Sequence, residues 1–115
     1  MSEQWPKCWG KNIEIFKNDT VSVNLLHLIK GGVCSWHHHE HKNNTFHVVS
    51  GKILIKTEHS ETILEPGQSI LIEAPMKHLF EALEDSKVIE VMWVSYDPQD
   101  IVRETQGFMK KDHNI

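Results

Sequence analysis

Histidine is the residue type most able to do chemistry in this chain of 115 residues: nine are present, and five lie between His37 and His47. Residues 36–41 are internal and read Trp-His-His-His-Glu-His. On an extended strand, alternate side chains share a face, so that His37 and His39 point one way and His38 the other. Two imidazoles on one face can reach the same ion, and Zn, Fe, Ni, Cu and Mn all accept neutral imidazole. The spacing therefore predicts a site for one divalent transition metal ion.

His78 is a third candidate ligand, because it follows a Pro-Gly turn, an aliphatic strand and a second proline. In a barrel, a neighbouring strand would bring it beside His37 and His39. Two alternatives stay open. The histidines could form a solvated strand edge that resists aggregation, or the register could slip so that His39 and His41 share the ion.

The elements that must position these histidines are predicted to be strands, since helical periodicity is almost absent and short aliphatic runs recur between turn signals. The predicted strands are 12–17, 21–29, 34–39, 45–50, 52–57, 62–65, 69–73, 78–83 and 88–96. Segments 53–55 and 70–72 both read Ile-Leu-Ile, apolar on both faces, which indicates two packed sheets or a barrel wall.

We expect a single all-β domain over residues 1–115, with its core at about residues 12–96. Asp100 predicts one or two helical turns over residues 100–105, because an acidic side chain caps a helix start. From Gly107 onward the chain becomes polar, and residues 107–115 are expected to be flexible.

The composition excludes several classes of protein. The chain is 39% hydrophobic and 24% charged, with a net charge of −4 and scattered basic residues, which argues against nucleic-acid binding. No apolar run approaches the ~20 residues that span a bilayer, and the start resembles no signal peptide. We therefore expect a cytoplasmic protein, in which Cys8 and Cys34 are reduced thiols.

The order of glycines and histidines resembles the two metal-binding motifs of the cupin superfamily, small jelly-roll-like β-barrels (double-stranded β-helices). The matching positions of the first motif are Gly31, His37, His39, Asn44 and Gly51, and those of the second are Gly67, Glu73, Pro75 and His78. The resemblance implies a metal site made by His37, His39 and His78. It also places Asn44 where the family has a glutamate ligand, so that Asn44 or His41 could complete the shell, or Asn44 could only cap a turn.

A closer resemblance is to the cupin domain of bacterial mannose-6-phosphate isomerase and mannose-1-phosphate guanylyltransferase. It is carried by Trp9-Gly10, the triple histidine at 37–39, the segment 46–51 and the Asp-Ile-Val-Arg stretch at 100–103. Two departures are Asn44 at the glutamate position and the loss of the Asp-x-Tyr-Gly-Arg ending after residue 103. The implied ligand is a small polar metabolite, a sugar or a sugar phosphate.

Three functions are consistent with these residues: a metal-dependent, isomerase-like enzyme, a three-histidine iron dioxygenase, and a non-catalytic sugar- or metal-binding module. A homodimer is expected as well, with residues 2–9 free to add a strand to a partner's sheet. Arg103 is a candidate for substrate or interface contact.

Other polar and aromatic side chains are interpreted as structural. If Asn44, Phe46 and Val48 face inward, His47 faces outward. Glu81 and Glu90 alternate with apolar neighbours, which indicates charges on the outer face. Large apolar residues of a barrel are more often core than pocket lining, and this applies to Trp36, Met92 and Trp93.

Overall fold

The computed structural model describes residues 3–93 and 99–110, and within them it contains strands and no helix. The strands are β1 Glu3–Lys7, β2 Gly10–Lys17, β3 Val21–Leu28, β4 Gly32–Val33, β5 His37–His38, β6 Asn43–Ser50, β7 Ile53–Thr57, β8 Glu61–Leu64, β9 Ser69–Ile72, β10 His78–Ala82, β11 Ser86–Trp93, β12 Val102–Arg103 and β13 Phe108–Met109. The predicted all-β fold is confirmed. Over these same residues there is no helix long and apolar enough to cross a membrane.

Two antiparallel sheets form the fold. The six-stranded sheet has the order β1-β2-β3-β11-β6-β9. The seven-stranded sheet has the order β12-β5-β10-β4-β13, and β7 pairs with β10 and with β8. Strand β10 therefore lies between β7 on one edge and the short strands β4 and β5 on the other.

The inner face of the six-stranded sheet changes from apolar to polar along its strands. In β3 the buried side chains alternate with half-buried ones, as the pleat of a strand requires, and they run from Ser22 and Asn24 to Leu26 and Leu28. Strand β11 runs antiparallel and places Glu90 opposite Asn24. The apolar end packs into the core with Phe46, Val48, Ile53 and Val88. The polar end is left to face the histidines of the other sheet.

The C-terminal segment differs from the prediction. Val102 and Arg103 pair with His38 and His37 instead of forming a helical turn, and Glu104 donates its backbone N–H to Trp36 O at 2.8 Å. Pairing across strands satisfies the backbone groups that a helical turn would have satisfied internally.

In the segment predicted to be flexible, Phe108 and Met109 pair with Val33 and Gly32 as strand β13, and its flexibility stays a prediction. Residues 111–115 lie outside the described residues.

Two further predictions need correction. The strand expected at 34–39 is much shorter, since within that segment only β5, His37–His38, is extended. The N-terminal segment, expected to be free for a partner's sheet, pairs within its own chain, because β1 lies antiparallel to β2. The end of the predicted strand 88–96 lies beyond the described residues, which stop at Trp93 before resuming at Gln99.

Core packing yields a matched test on two isoleucines of neighbouring strands. Ile53 is 0% exposed and Ile63 is 54% exposed. We expect Ile53→Ala to lower the free energy of unfolding by about 2–5 kcal/mol, because it removes buried methyl groups and leaves a cavity. Ile63→Ala should change it by about 0.5 kcal/mol or less. Urea denaturation measures both, and equal losses would contradict the assigned register of β7 and β8.

Candidate metal centre

Three histidines meet where β5 and β10 lie side by side. His37 and His78 occupy facing positions of these strands, and His39 follows β5 by one residue. One ring nitrogen of each lies within 4.8 Å of the corresponding nitrogens of the other two. All three residues are buried, with 8%, 5% and 1% of their surfaces exposed in the order His37, His39 and His78. The structure thus brings together the three ligands predicted from the sequence.

Backbone carbonyls fix the orientation of every ring in this cluster. The Nδ1 atom of His37 lies 2.6 Å from Ser35 O, that of His39 lies 2.6 Å from Asp100 O, and that of His78 lies 3.0 Å from Met76 O. A carbonyl oxygen only accepts, so each Nδ1 carries the hydrogen and each Nε2 keeps a lone pair. The Nε2 atoms of His39 and His78 are buried and have no partner within the described chain. Buried lone pairs of this kind fit a metal ion.

The surroundings keep these imidazoles uncharged. Burial, followed by the nearby His78, lowers the pKa of His37 to about 3. Burial also lowers the pKa of His39 to about 4, against the opposing effect of its bond to Asp100 O. The pKa of His78 is lowered by burial as well. At neutral pH all three rings are therefore in the form that binds metal.

Asp100 ties the loop that carries His39 to the C-terminal segment. Its carboxylate accepts the backbone N–H groups of Glu40 at 2.7 Å, His41 at 3.0 Å and Lys42 at 3.1 Å. Burial alone would raise the pKa of this carboxyl, but the three N–H donors outweigh burial and lower it. The Asp100 carbonyl also accepts a hydrogen bond from the His39 ring. Asp100 therefore fixes both the loop after His39 and the orientation of the His39 imidazole.

Asn44, which is buried, forms a polar pair with Glu90, which is half-buried and shares a cavity lining with His37 and His39. The Asn44 amide donates from Nδ2 to Glu90 Oε2 at 2.6 Å, while Asn44 Oδ1 is buried and has no hydrogen-bond partner among the described residues. The turn-capping interpretation of Asn44 is thus wrong, since its amide nitrogen contacts a carboxylate and the residue lies within β6. Burial raises the pKa of Glu90, and the Asn44 hydrogen bond opposes that rise.

An open cavity of about 700 Å³ adjoins the histidines. The six-stranded sheet contributes Asn24, Glu90 and Met92 to its lining, and the C-terminal segment contributes Ile101 and Arg103. Glu90 therefore faces the cavity, which corrects the prediction that it lies on the outer face. Sequence reasoning missed it because β11 is apolar on both of its faces. Met92, interpreted as core, also lines the cavity.

Residues 24–95 match the Cupin domain family. The chain belongs to this family. Among solved structures with a similar fold, KdgF from Halomonas sp. has a TM-score of 0.77 at 22% identity, over 83% of this chain and 90% of that chain. Pac13 of Streptomyces, a nucleoside dehydratase, has a TM-score of 0.79 at 11% identity, over 91% and 86% of the two chains. No curated protein matches the sequence.

The remaining candidates of this cupin lie away from the histidine cluster. His41 is exposed, and its backbone N–H contacts Asp100. His47 faces outward as predicted, with its Nδ1 at 2.6 Å from Ser69 Oγ. Glu81 is 9% exposed and pairs with Lys110 at 3.1 Å, so it is not a solvated charge. Trp36 and Trp93 are half-buried and stand outside the cavity lining.

The bonds of Asp100 predict a loss of metal affinity when they are weakened. In Asp100→Asn, an NH₂ group replaces one acceptor oxygen and opposes the backbone N–H donors. We expect metal affinity to fall by about 10–100-fold, the usual effect of removing a group that orients a ligand. Competition with a chromophoric chelator measures it. Asp85→Asn is the matched control, because Asp85 accepts the Lys30 N–H and does not line this cavity. Equal affinity in both variants would contradict the role of Asp100.

The lowered histidine pKa values predict acid sensitivity of the metal-free protein. Below pH 6.5 the unfolded chain binds protons that His37 and His39 resist until about pH 3 and 4. Stability should therefore fall as the pH drops from 6.5 towards 4, by up to about 1.4 kcal/mol per pH unit for each such histidine. Above pH 6.5 these groups should contribute no pH dependence.

Urea denaturation in the presence of a chelator, repeated across this pH range, tests the acid sensitivity. His39→Gln should flatten the slope, while the same change at the exposed His59 should leave it unaltered. A wild-type slope in His39→Gln would show that His39 is not buried in its neutral form.

Proposed function

We propose that this cupin binds one divalent transition metal ion through the Nε2 atoms of His37, His39 and His78. The observation that carries the proposal is the set of three Nδ1–H bonds to backbone carbonyls, which leave three Nε2 lone pairs directed away from those carbonyls. When bound, the ion would polarise a substrate oxygen or acidify water. A set of three neutral imidazoles suits Zn, Fe, Ni, Mn or Cu.

Asn44 is the proposed neighbour of the fourth metal position. Its Oδ1 is buried and without a partner, and amide oxygen is a neutral donor. Glu90 holds the amide by its nitrogen, which leaves the oxygen as the atom that can turn to the metal. His41 is not chosen, because its side chain is exposed.

The proposed substrate is a small polar metabolite such as a sugar or a sugar phosphate, and the proposed reaction is isomerase-like. The cavity of about 700 Å³ falls in the range of metabolite sites, and Lys42, Arg103, Asn24 and Ser22 line it with groups that hydrogen-bond hydroxyls or anions. Glu90 is the carboxyl in this lining that would carry a proton between substrate atoms. The resemblance to mannose-6-phosphate isomerase supports the same choice. The cytoplasmic location and the homodimer stay predictions.

Metal analysis of protein purified without an affinity tag or chelator tests the metal site. We expect about one equivalent per chain, lost on His37→Ala, His39→Ala or His78→Ala, since two imidazoles cannot hold the ion that three hold. His41→Ala is the matched control and should keep the metal. Full occupancy in His78→Ala combined with loss in His41→Ala would contradict the proposed site.

Turnover separates the isomerase-like enzyme from its alternatives. The metal-loaded protein is incubated with hexose phosphates and their free sugars, and the products are followed by NMR. Metal-dependent isomerisation that disappears in Glu90→Gln, with metal retained, would support the proposal. Binding of sugars without turnover would replace it by a binding module, and oxygen consumption by the iron-loaded protein would replace it by a dioxygenase.

A further inference from the structure

Three basic side chains face one another across neighbouring strands on the outer surface of the six-stranded sheet. Lys11 of β2 lies opposite His27 of β3, and His27 lies opposite Lys87 of β11. Because Leu26 and Leu28 on either side of His27 are buried in the core, the alternation of the strand directs His27 outward. We call Lys11, His27 and Lys87 the basic row.

The basic row carries positive charge that the described residues leave unbalanced. Lys11 and Lys87 lie on either side of His27, and two positive charges held near each other repel. Among the described side chains of residues 7–93 and 99–110, neither Lys11 nor Lys87 forms an ion pair, whereas Lys17, Lys52, Lys77 and Lys110 each do. The Asp85 carboxylate lines the same cavity and is fixed by the Lys30 backbone N–H at 2.8 Å, so the two lysines exceed the acidic charge of the lining by one. The pKa of His27 is lowered first by burial and then by the charges of Lys11 and Lys87. Both lysines therefore lie close enough to disfavour a protonated imidazole.

A cavity of about 500 Å³ opens at the basic row. Leu28 and Ile29 supply apolar walls, and Ser50 and Ser86 are also in the lining. It shares no lining residue with the cavity beside the metal centre. Its volume lies within the range of small-molecule sites and is far larger than one phosphate ion needs.

We propose that this second cavity binds a small molecule that carries a phosphate monoester, such as a sugar phosphate or a nucleotide. Lys11 and Lys87 outnumber the one carboxylate of the lining and can each donate to a phosphate oxygen, and the His27 ring supplies an N–H donor between them. The apolar walls at Leu28 and Ile29 receive the organic part of the molecule. Binding would remove the repulsion within the basic row, so that the ligand and the protein stabilise each other.

NMR titration of the ¹⁵N-labelled protein tests this proposal with three probes: inorganic phosphate, glucose 6-phosphate and AMP. We expect amide shifts at Lys11, His27 and Lys87, and tighter binding of at least one organic phosphate than of inorganic phosphate. The pKa of His27 should rise on binding, because the anion offsets the positive charges of Lys11 and Lys87. Asp85, the one acidic group in the lining, is present both before and after binding and does not cause this rise. Tighter binding of glucose 6-phosphate than of AMP would indicate a sugar phosphate as the ligand, and the reverse order would indicate a nucleotide.

Charge removal supplies the matched comparison. The double variant Lys11→Gln with Lys87→Gln should lose affinity by about tenfold or more, equivalent to about 1.4 kcal/mol, and its ligand-free form should resist urea better than the wild type. Lys56→Gln removes the same kind of charge outside this cavity and should change neither property.

Three results would overturn the proposal. The first is amide shifts confined to His37, His39 and His78. The second is an unchanged affinity for organic phosphate in the double variant. The third is that neither organic phosphate binds more tightly than inorganic phosphate. The proposed metal function does not enter this test, since it is judged by metal content and turnover.

Discussion

Three imidazoles buried within contact distance of one another impose the main constraint on this structure. Their ring centroids are 4.3–5.5 Å apart, so even one positive charge among them would be costly. Hydrogen bonds from Nδ1 to the backbone carbonyls of Ser35, Asp100 and Met76 stabilise the neutral form, because each uses the single hydrogen of a neutral ring. The same arrangement suits a metal ion, since the Nε2 lone pairs of His39 and His78 are buried and have no partner among the described residues.

The rest of the fold supplies what those bonds require. Strands β5 and β10 place His37 opposite His78, and the C-terminal segment pairs with β5 so that Asp100 reaches the loop after His39. The six-stranded sheet meets the cluster with a polar surface at Asn44 and Glu90, while its other end supplies the apolar core. The six-stranded sheet therefore has a packed apolar end and a polar end that lies toward the histidines.

The sequence was informative where the pattern was local. Alternation predicted the strands and the shared face of His37 and His39, and the position of His78 after its proline predicted that it lies beside them. The cavity-facing position of Glu90 was not predicted, because Ile89 and Val91 are as apolar as Val88 and Met92. Periodicity therefore could not distinguish the inner face of β11 from the outer face. The strand at Val102–Arg103 was not predicted, because its partner, β5, is more than sixty positions earlier in the chain. The local propensity at Asp100 favoured a helix start instead. The Asp100 contacts with the His39 loop depend on the same long-range pairing.

The tautomers of His37, His39 and His78 show whether backbone carbonyls hold all three rings in the form that binds metal. Long-range ¹H–¹⁵N correlation spectra of the metal-free protein at neutral pH distinguish Nδ1–H, Nε2–H and doubly protonated rings. We expect His37, His39 and His78 all to be neutral with the hydrogen on Nδ1. A protonated ring, or the hydrogen on Nε2 at any of the three, would contradict it.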